Sequence, residues 1–346
     1  MPQELTTLSD LASLSFDEII DVRSPAEYAT DHIPGAISLP ALSNEERARV
    51  GTIYVQDDPF KARKIGAALV SRNVAAHLEG PLANRPGGWR PLVYCWRGGQ
   101  RSGSVAIILK QIGWRADTIA GGYQSYRRLV AAALYDAPMP GPVVVIDGGT
   151  GTAKTRLLGH LAAQGAQTLD LEAMANHRGS LFGPLGTDQP SQKAFESRLA
   201  MDLARLDPSR PVFVEAESSR IGRLIIPPSL WKAMIGAPNL RLTAPLAARA
   251  DHLLTAYPDM IRDPDRLDDT LQKLTRYHGH DQVSAWRALA QAGDLRNLAA
   301  GLIATHYDPR YARISRAHAP DARVLDLPDL SDSTLAATAA RIIATH

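Results

Sequence analysis

Cysteine is almost missing from this chain, with one in 346 residues. A single cysteine excludes an internal disulfide and suits a reducing compartment. No Cys/His cluster has the spacing of a structural zinc site. No apolar run reaches the roughly 18 residues that a membrane helix needs, so no span is expected. The start, Met1-Pro2-Gln3-Glu4-Leu5, lacks the basic-then-apolar order of a secretory signal, and a cytoplasmic protein is expected. Charge of one sign is scarce too: a net +2 does not by itself announce a nucleic-acid partner. Seven lysines stand against 31 arginines, whose planar fork suits phosphate, although codon bias yields the same excess. With 45% hydrophobic and 21% charged residues, the chain reads as an ordinary globular protein long enough for two domains.

The lone cysteine sits in a telling place. Pro91-Leu92-Val93-Tyr94 is strand-like and runs straight into Cys95-Trp96-Arg97-Gly98-Gly99-Gln100-Arg101-Ser102. A free cysteine is most often a small buried hydrophobe. Here the following glycines and arginines are too polar for a core. Gly98, Gly99 and Ser102 let successive N–H groups turn inward around an anion, and Arg97 and Arg101 add positive charge. A helical pattern then begins near Val105, which would place the loop at a helix N-terminus. Each feature lowers a thiol pKa, and the thiolate is the reactive form.

Upstream, residues 19–22 read as a strand, and Ser24-Pro25-Ala26-Glu27 as a capped helix start. Pro34-Gly35 is a turn before a strand at 36–39, so the alternation points to a parallel sheet. Asp21, Arg23 and Glu27 are expected to form a buried ion-paired group that holds the fold. Residues 60–70 look helical, and the Gly/Pro-rich stretch 81–88 is expected to cover the cysteine site.

Three prolines within residues 137–142 mark a joint, giving domains at 1–136 and 137–346. Val143-Val144-Val145-Ile146-Asp147 reads as a buried parallel strand. It enters Gly148-Gly149-Thr150-Gly151-Thr152-Ala153-Lys154-Thr155, and an apolar helix follows. This is the strand–loop–helix order of a P-loop. Its amides would surround a diphosphate, Lys154 would neutralise it and Thr155 could ligate Mg²⁺. Alanine stands at 153 where the pattern has glycine; a methyl in a helical conformation should leave the loop intact. Strands at 167–172 and 211–217 end in acids, and 239–243 and 323–326 complete five. Ligands of such sheets sit beyond the strand C-termini, so Asp170, Glu172, Glu215, Glu217 and Arg220 should approach the loop. A helical segment at about 245–320 carries charges of alternating sign, which reads as a solvated face. Arg310, Arg313 and Arg316 could meet RNA phosphates.

Asp-Val-Arg-Ser-Pro-x-Glu-Tyr, His-Ile-Pro-Gly-Ala, the Cys95 loop and Gly121-Gly122-Tyr123 together resemble a rhodanese domain. That likeness implies that Cys95 carries a transferable sulfur or selenium, cradled by Arg97, Gly98, Gly99, Gln100 and Arg101. With the P-loop, Asp-Leu-Glu-x-x-Ala-Asn-His-Arg-Gly-Ser, Glu-x-Glu-Ser-x-Arg-Ile-Gly and His-Tyr-Asp-Pro-x-Tyr, the chain resembles the tRNA 2-selenouridine synthase family over roughly residues 10–330. The resemblance implies an α/β architecture, a rhodanese-like domain followed by a P-loop domain with a helical insertion. It implies a transferase that geranylates wobble 2-thiouridine in tRNA with geranyl diphosphate, then installs selenium from selenophosphate. Geranyl diphosphate and selenophosphate are then co-substrates rather than tightly bound cofactors, and no membrane is involved. His177, Arg178 and Arg223 join the supporting residues around the diphosphate. The Asp-Asp-x-x-Asp motif of chain-elongating prenyltransferases does not occur. Selenium would come directly from selenophosphate or through a Cys95 perselenide; both routes fit the sequence. The other readings are an ATP-dependent tRNA sulfurtransferase, or another rhodanese/P-loop enzyme, and a nucleotide-sensing module without catalysis.

Overall fold

The computed structural model describes residues 2–183, 185, 187–318 and 321–346. Its internal contacts divide the chain into two units, Met1–Ala137 with Pro190–Arg205, and Pro138–Gln189 with Leu206–His346.

The first unit is built on a four-stranded parallel sheet, ordered β2-β1-β3-β4. Its strands are β1 (Glu18–Asp21), β2 (Ile37–Ser38), β3 (Pro91–Tyr94) and β4 (Asp117–Thr118). Ile20, Val22 and Val93 are wholly buried, so this sheet is covered by helices rather than water. Ser24 and Glu27 form the expected capping box, with the Ser24 N–H donating to Glu27 Oε2 at 3.0 Å. The helix expected at 60–70 runs on over Pro59–Glu79, because nothing breaks it before Gly80.

The stretch 81–88 does not cover the cysteine. Arg85 pairs with Glu18 at 2.7 Å, at the start of β1, whereas Cys95 follows the end of β3. Leu82 and Trp89 anchor it in the core, and Trp114 Nε1 donates to the Pro86 carbonyl at 2.9 Å. Parallel strands put their starts and ends on opposite edges of the sheet, which is why proximity in sequence misleads here.

Residues 190–205 also depart from the expected boundary at 137. The helix Gln192–Leu203 belongs to the first unit although its sequence lies in the second half. Glu196 meets Arg127 and accepts from Tyr135 OH at 2.6 Å, while Ser197 Oγ donates to Asp31 at 2.9 Å. Both Glu196 and Ser197 are buried. Removing one partner of a buried ion pair strands the other charge. Glu196→Ala is therefore expected to destabilise the first unit by about 3 kcal/mol, measured by denaturant unfolding; a change below about 1 kcal/mol would count against a structural role for this helix.

The second unit carries a five-stranded sheet in the order β11-β10-β5-β7-β6, parallel throughout. The strands are β5 (Val143–Gly148), β6 (Gln167–Leu169), β7 (Val212–Glu215), β10 (Asn239–Thr243) and β11 (Arg323–Asp326). A small antiparallel ribbon of β8 (Arg220–Ile221) and β9 (Leu224–Ile225) lies apart. β6 is shorter than expected because Asp170 leaves the strand to cap the next helix, accepting from the Ala173 N–H at 2.8 Å. Helices Lys154–Ala163 and Asp332–Ile343 supply Leu157, Leu161, Leu335 and Ile342 to the core against β5, β7 and β10. Helices from Leu246 to His318 form the insertion. No helix among the described residues is long and apolar enough to cross a membrane.

Candidate active sites

In the first unit the chain leaves β3 at Tyr94 and turns through Cys95 to Gly99 before the helix Gln100–Ile112. Gly98 adopts φ +66° and Gly122 φ +58°. A Cβ on Gly122 would lie 2.3 Å from the Cys95 carbonyl oxygen, so only glycine lets the two segments meet. Tyr123 N–H then donates to that carbonyl at 2.8 Å, and Gln124 N–H to Trp96 at 3.1 Å. The closing segment thus clamps the cysteine loop through its backbone.

The Cys95 sulfur lies 3.2 Å from Ser102 Oγ, and the residue is only 3% exposed. It packs on the core at one side. Burial pushes the thiol up, but the Ser102 hydroxyl and N–H, the charge of Arg101 and the Gly99 N–H outweigh it and leave the pKa below the ordinary value. Arg101 is held by Glu27 at 2.9 Å, which also meets Arg47 at 3.2 Å. Glu27 accordingly does not join the Asp21–Arg23 pair, as the sequence suggested, but fixes the cation beside the sulfur. Asp21 and Arg23 do pair at 2.6 Å, both buried, and Arg23 lies 4.0 Å from the Tyr123 ring centroid. Arg97, Gly99 and Gln100 are exposed, so this rim of the loop faces solvent.

In the second unit β5 delivers the loop Gly148–Thr155 to the helix Lys154–Ala163. Lys154 Nζ donates to the Gly148 carbonyl at 2.9 Å, and Thr152 Oγ1 to Gly149 at 2.8 Å. Ala153 adopts φ +60°, ψ 34°, the left-handed region, rather than the helical conformation expected of it. The loop keeps its path at a cost of about 1 kcal/mol for the L-residue. Its methyl packs with Leu157 and Leu242 in the core.

Three carboxylates gather beside Thr155. Its hydroxyl donates to Glu215 at 3.0 Å and to Glu172 at 3.3 Å, and the Glu172 N–H donates to Glu215 Oε1 at 2.8 Å. Burial, then the charge of Glu217, pushes Glu172 up; burial, then Glu172, does the same to Glu215. Glu217 is pushed up to about 7 by burial and by Glu215, with Lys154 opposing. Folded pKa values above the ordinary 4.5 mean that these groups stabilise the protein most at low pH. That stability is lost as pH rises from about 4.5 through about 8. Glu215→Gln should flatten the fall in Tm over this range in ligand-free protein; an unchanged slope would show that the cluster is not strained.

His177 is buried, and its Nδ1 accepts from the Gly179 N–H at 3.0 Å. Burial and the charge of Arg178 hold its pKa down, and the Gly179 N–H meets its unprotonated Nδ1. Arg178 forks onto Asp259 at 2.7 and 3.3 Å and stacks 4.5 Å from the Tyr257 ring centroid. Arg220 and Arg223 are exposed. Neither is in hydrogen-bond contact with the loop among the described residues: Arg223 N–H donates to Gln189 at 2.9 Å instead. Of the three arginines expected as candidates to meet RNA phosphates, Arg310 lies 4.1 Å from the Tyr277 ring centroid, Arg313 is exposed, and the Arg316 side chain is outside the described residues.

Two features had no signal in the sequence. Arg249, from the helix Leu246–Ala256, donates to the Thr150 carbonyl through Nε at 2.9 Å and Nη2 at 2.8 Å. Its other edge forks onto Asp308 at 2.6 and 3.0 Å, which explains the aspartate of His-Tyr-Asp-Pro. The second feature is a small, partly open pocket that begins at Thr150 and is otherwise lined by apolar and aromatic side chains. Leu253, Tyr257, Met260, Leu298, Leu302 and Tyr307 are among them. The helical insertion is therefore not simply a solvated array: one side lines an apolar pocket. A π-helical turn at Ile303–Tyr307 puts Tyr307 on its wall directly before Asp308.

Comparison with known proteins agrees with this layout. A family described as tRNA 2-selenouridine synthase AAA domain matches residues 141–324, and the rhodanese-like domain family matches residues 1–129. A tRNA 2-selenouridine synthase of Nitrosomonas europaea is 36% identical over 72% of this chain and 66% of its own length, just under two thirds. One from Aeromonas salmonicida is 38% identical over 73% of this chain and 69% of its own. Another, from Pseudomonas syringae pv. syringae, is 33% identical over 88% of this chain and 90% of its own.

Proposed function

The chain belongs to the tRNA 2-selenouridine synthase family, and from that membership we propose that it converts wobble 2-thiouridine of tRNA to 2-selenouridine in two steps. In the first, the thiocarbonyl sulfur attacks C1 of geranyl diphosphate, the C–O bond breaks, diphosphate leaves and N3 of the base gives up its proton. In the second, selenium from selenophosphate attacks C2 and the geranyl thiolate departs; water then cleaves the P–Se bond and phosphate is released. Alkylation turns a poor leaving group into a good one, which is the chemical reason for the first step.

One observation carries this reading: the apolar cavity that starts at the phosphate loop. Loop amides and Lys154 suit the diphosphate, and charge develops on it as the allylic bond breaks. The chamber beyond Thr150 suits a hydrocarbon. A nucleobase there would leave its ring donors and acceptors facing leucines, an uncompensated burial. Arg249 and Asp308 brace the loop between the two parts of such a ligand.

The oxygen donors also fit a magnesium ion. Thr155 and Glu215 are hard ligands with surplus negative charge around them, and Mg²⁺ usually takes one or two protein oxygens plus phosphate. Among the described residues no group of three or more His, Cys, Asp or Glu is arranged to hold a metal alone, so the phosphates would complete the shell. When bound, the ion would supply further charge to the diphosphate.

In the first unit, Cys95 and Arg101 are the groups suited to the selenium step. The Cys95 sulfur lies just beneath the exposed rim of Arg97, Gly99 and Gln100. The first test is binding: geranyl diphosphate is expected to displace a fluorescent isoprenoid diphosphate from the whole protein at micromolar concentration, with ATP at least about tenfold weaker. Tighter binding of ATP would favour a nucleotide-driven sulfurtransferase and overturn the proposal.

A further inference from the structure

A second pocket, open to solvent, shares part of its lining with the apolar one. Its lining sets the exposed Asp263, Asp265, Asp269 and Lys273, with Arg266 and Thr270, beside Leu181, Phe182 and Met260. The two cavities share two lining residues, Phe182 and Met260. Both side chains are buried, at 7% and 3% exposure. They belong to one apolar cluster with Leu267 and Leu271 from the helix Pro264–Gln272, which also gives Asp265, Arg266, Asp269 and Thr270 to the second pocket.

We propose that Phe182 and Met260 set the longest isoprenoid chain that the apolar cavity accepts, by closing it off from the acidic cavity behind. This rests on reading the apolar cavity as the isoprenoid site. A chain that outgrows the first cavity must displace one of these two side chains. It would then emerge among the exposed Asp263, Asp265 and Asp269, where hydrocarbon meets water and charge. The partition therefore discriminates twice, by shape and by the chemistry behind it. Met260, unbranched and adaptable, is the softer half of the wall, and Phe182 the stiffer.

The experiment compares kcat/KM for dimethylallyl, geranyl and farnesyl diphosphates, with thiolated tRNA as acceptor. Wild-type protein is set beside Met260→Ala, Phe182→Ala and Leu295→Ala. Leu295 lines the apolar cavity but not the acidic one, so its truncation enlarges the pocket without opening the wall. The farnesyl-to-geranyl ratio is expected to rise about tenfold or more in Met260→Ala or Phe182→Ala and to stay within about threefold in Leu295→Ala. Met260→Trp, which thickens the wall, should shift preference toward dimethylallyl diphosphate. Thermal unfolding of each variant shows that the fold is retained. Unchanged ratios in both wall variants, or an equal rise in Leu295→Ala, overturn the proposal. If wild-type protein binds ATP but none of the three isoprenoid diphosphates, the isoprenoid reading itself fails, and this inference with it.

Discussion

Lys154→Ala should lower the rate of geranyl transfer by roughly 100- to 1,000-fold, the cost of removing one pre-positioned charge from a developing anion. Two structural facts set that magnitude. Lys154 Nζ already spans the loop to the Gly148 carbonyl at 2.9 Å, so little reorganisation precedes its contact with a diphosphate. It is also the cation that opposes the raised pKa values of Glu172, Glu215 and Glu217. Without it, negative charge near the loop is uncompensated and repels the leaving group as well. The loss should fall mainly on kcat, since charge on the diphosphate grows toward the transition state. Single-turnover measurement of prenylated tRNA checks this. A loss confined to KM would mean that the lysine merely binds the substrate. Selenium insertion into tRNA that is already geranylated should be untouched.

Cys95→Ala should do the reverse. Selenium insertion is expected to fall about 1,000-fold or more, in line with the loss of a reactive nucleophile or of its charge setting, while geranyl transfer stays within about twofold of wild type. The thiol is held below its ordinary pKa by Ser102, Arg101 and Gly99 against the effect of burial, an arrangement with no use for an inert core cysteine. The readout is the ratio of geranylated to selenated nucleoside from one reaction. Loss of both products in a variant that still folds would contradict the assignment of the two steps to separate units.

The two loops were legible in the sequence because they are local. In Cys95–Ser102 and Gly148–Thr155, strand, turn and helix follow within a few residues, and glycine, arginine, lysine and threonine each have a physical reason to stand there. The five acid-tipped and apolar strands of the second sheet were legible for the same reason. Glu27 looks structural from its sequence neighbours, because its grip on Arg101 spans 74 residues that local patterning does not connect. Arg249 is more distant still, 99 residues from Thr150, in a helix whose sequence looks like any amphipathic surface helix. The apolar cavity has no linear signature at all, because Phe182 and four separate helical stretches each contribute only one or a few side chains to it. Alternating charges in the insertion describe its outer faces, and the enclosed side appears only once the helices are packed. Residues 190–205 mislead in another way: nothing in their composition says that Glu196 pairs with Arg127 of the first unit.

The most direct measurement is nucleoside mass spectrometry of 2-thiouridine tRNA incubated with the whole protein, first with geranyl diphosphate and then with selenophosphate. S-geranyl-2-thiouridine should accumulate in the first stage without ATP and convert to 2-selenouridine in the second. Formation of 2-selenouridine with no isoprenoid diphosphate present, or a strict requirement for ATP, would contradict an account in which the phosphate loop and its apolar chamber hold a prenyl donor.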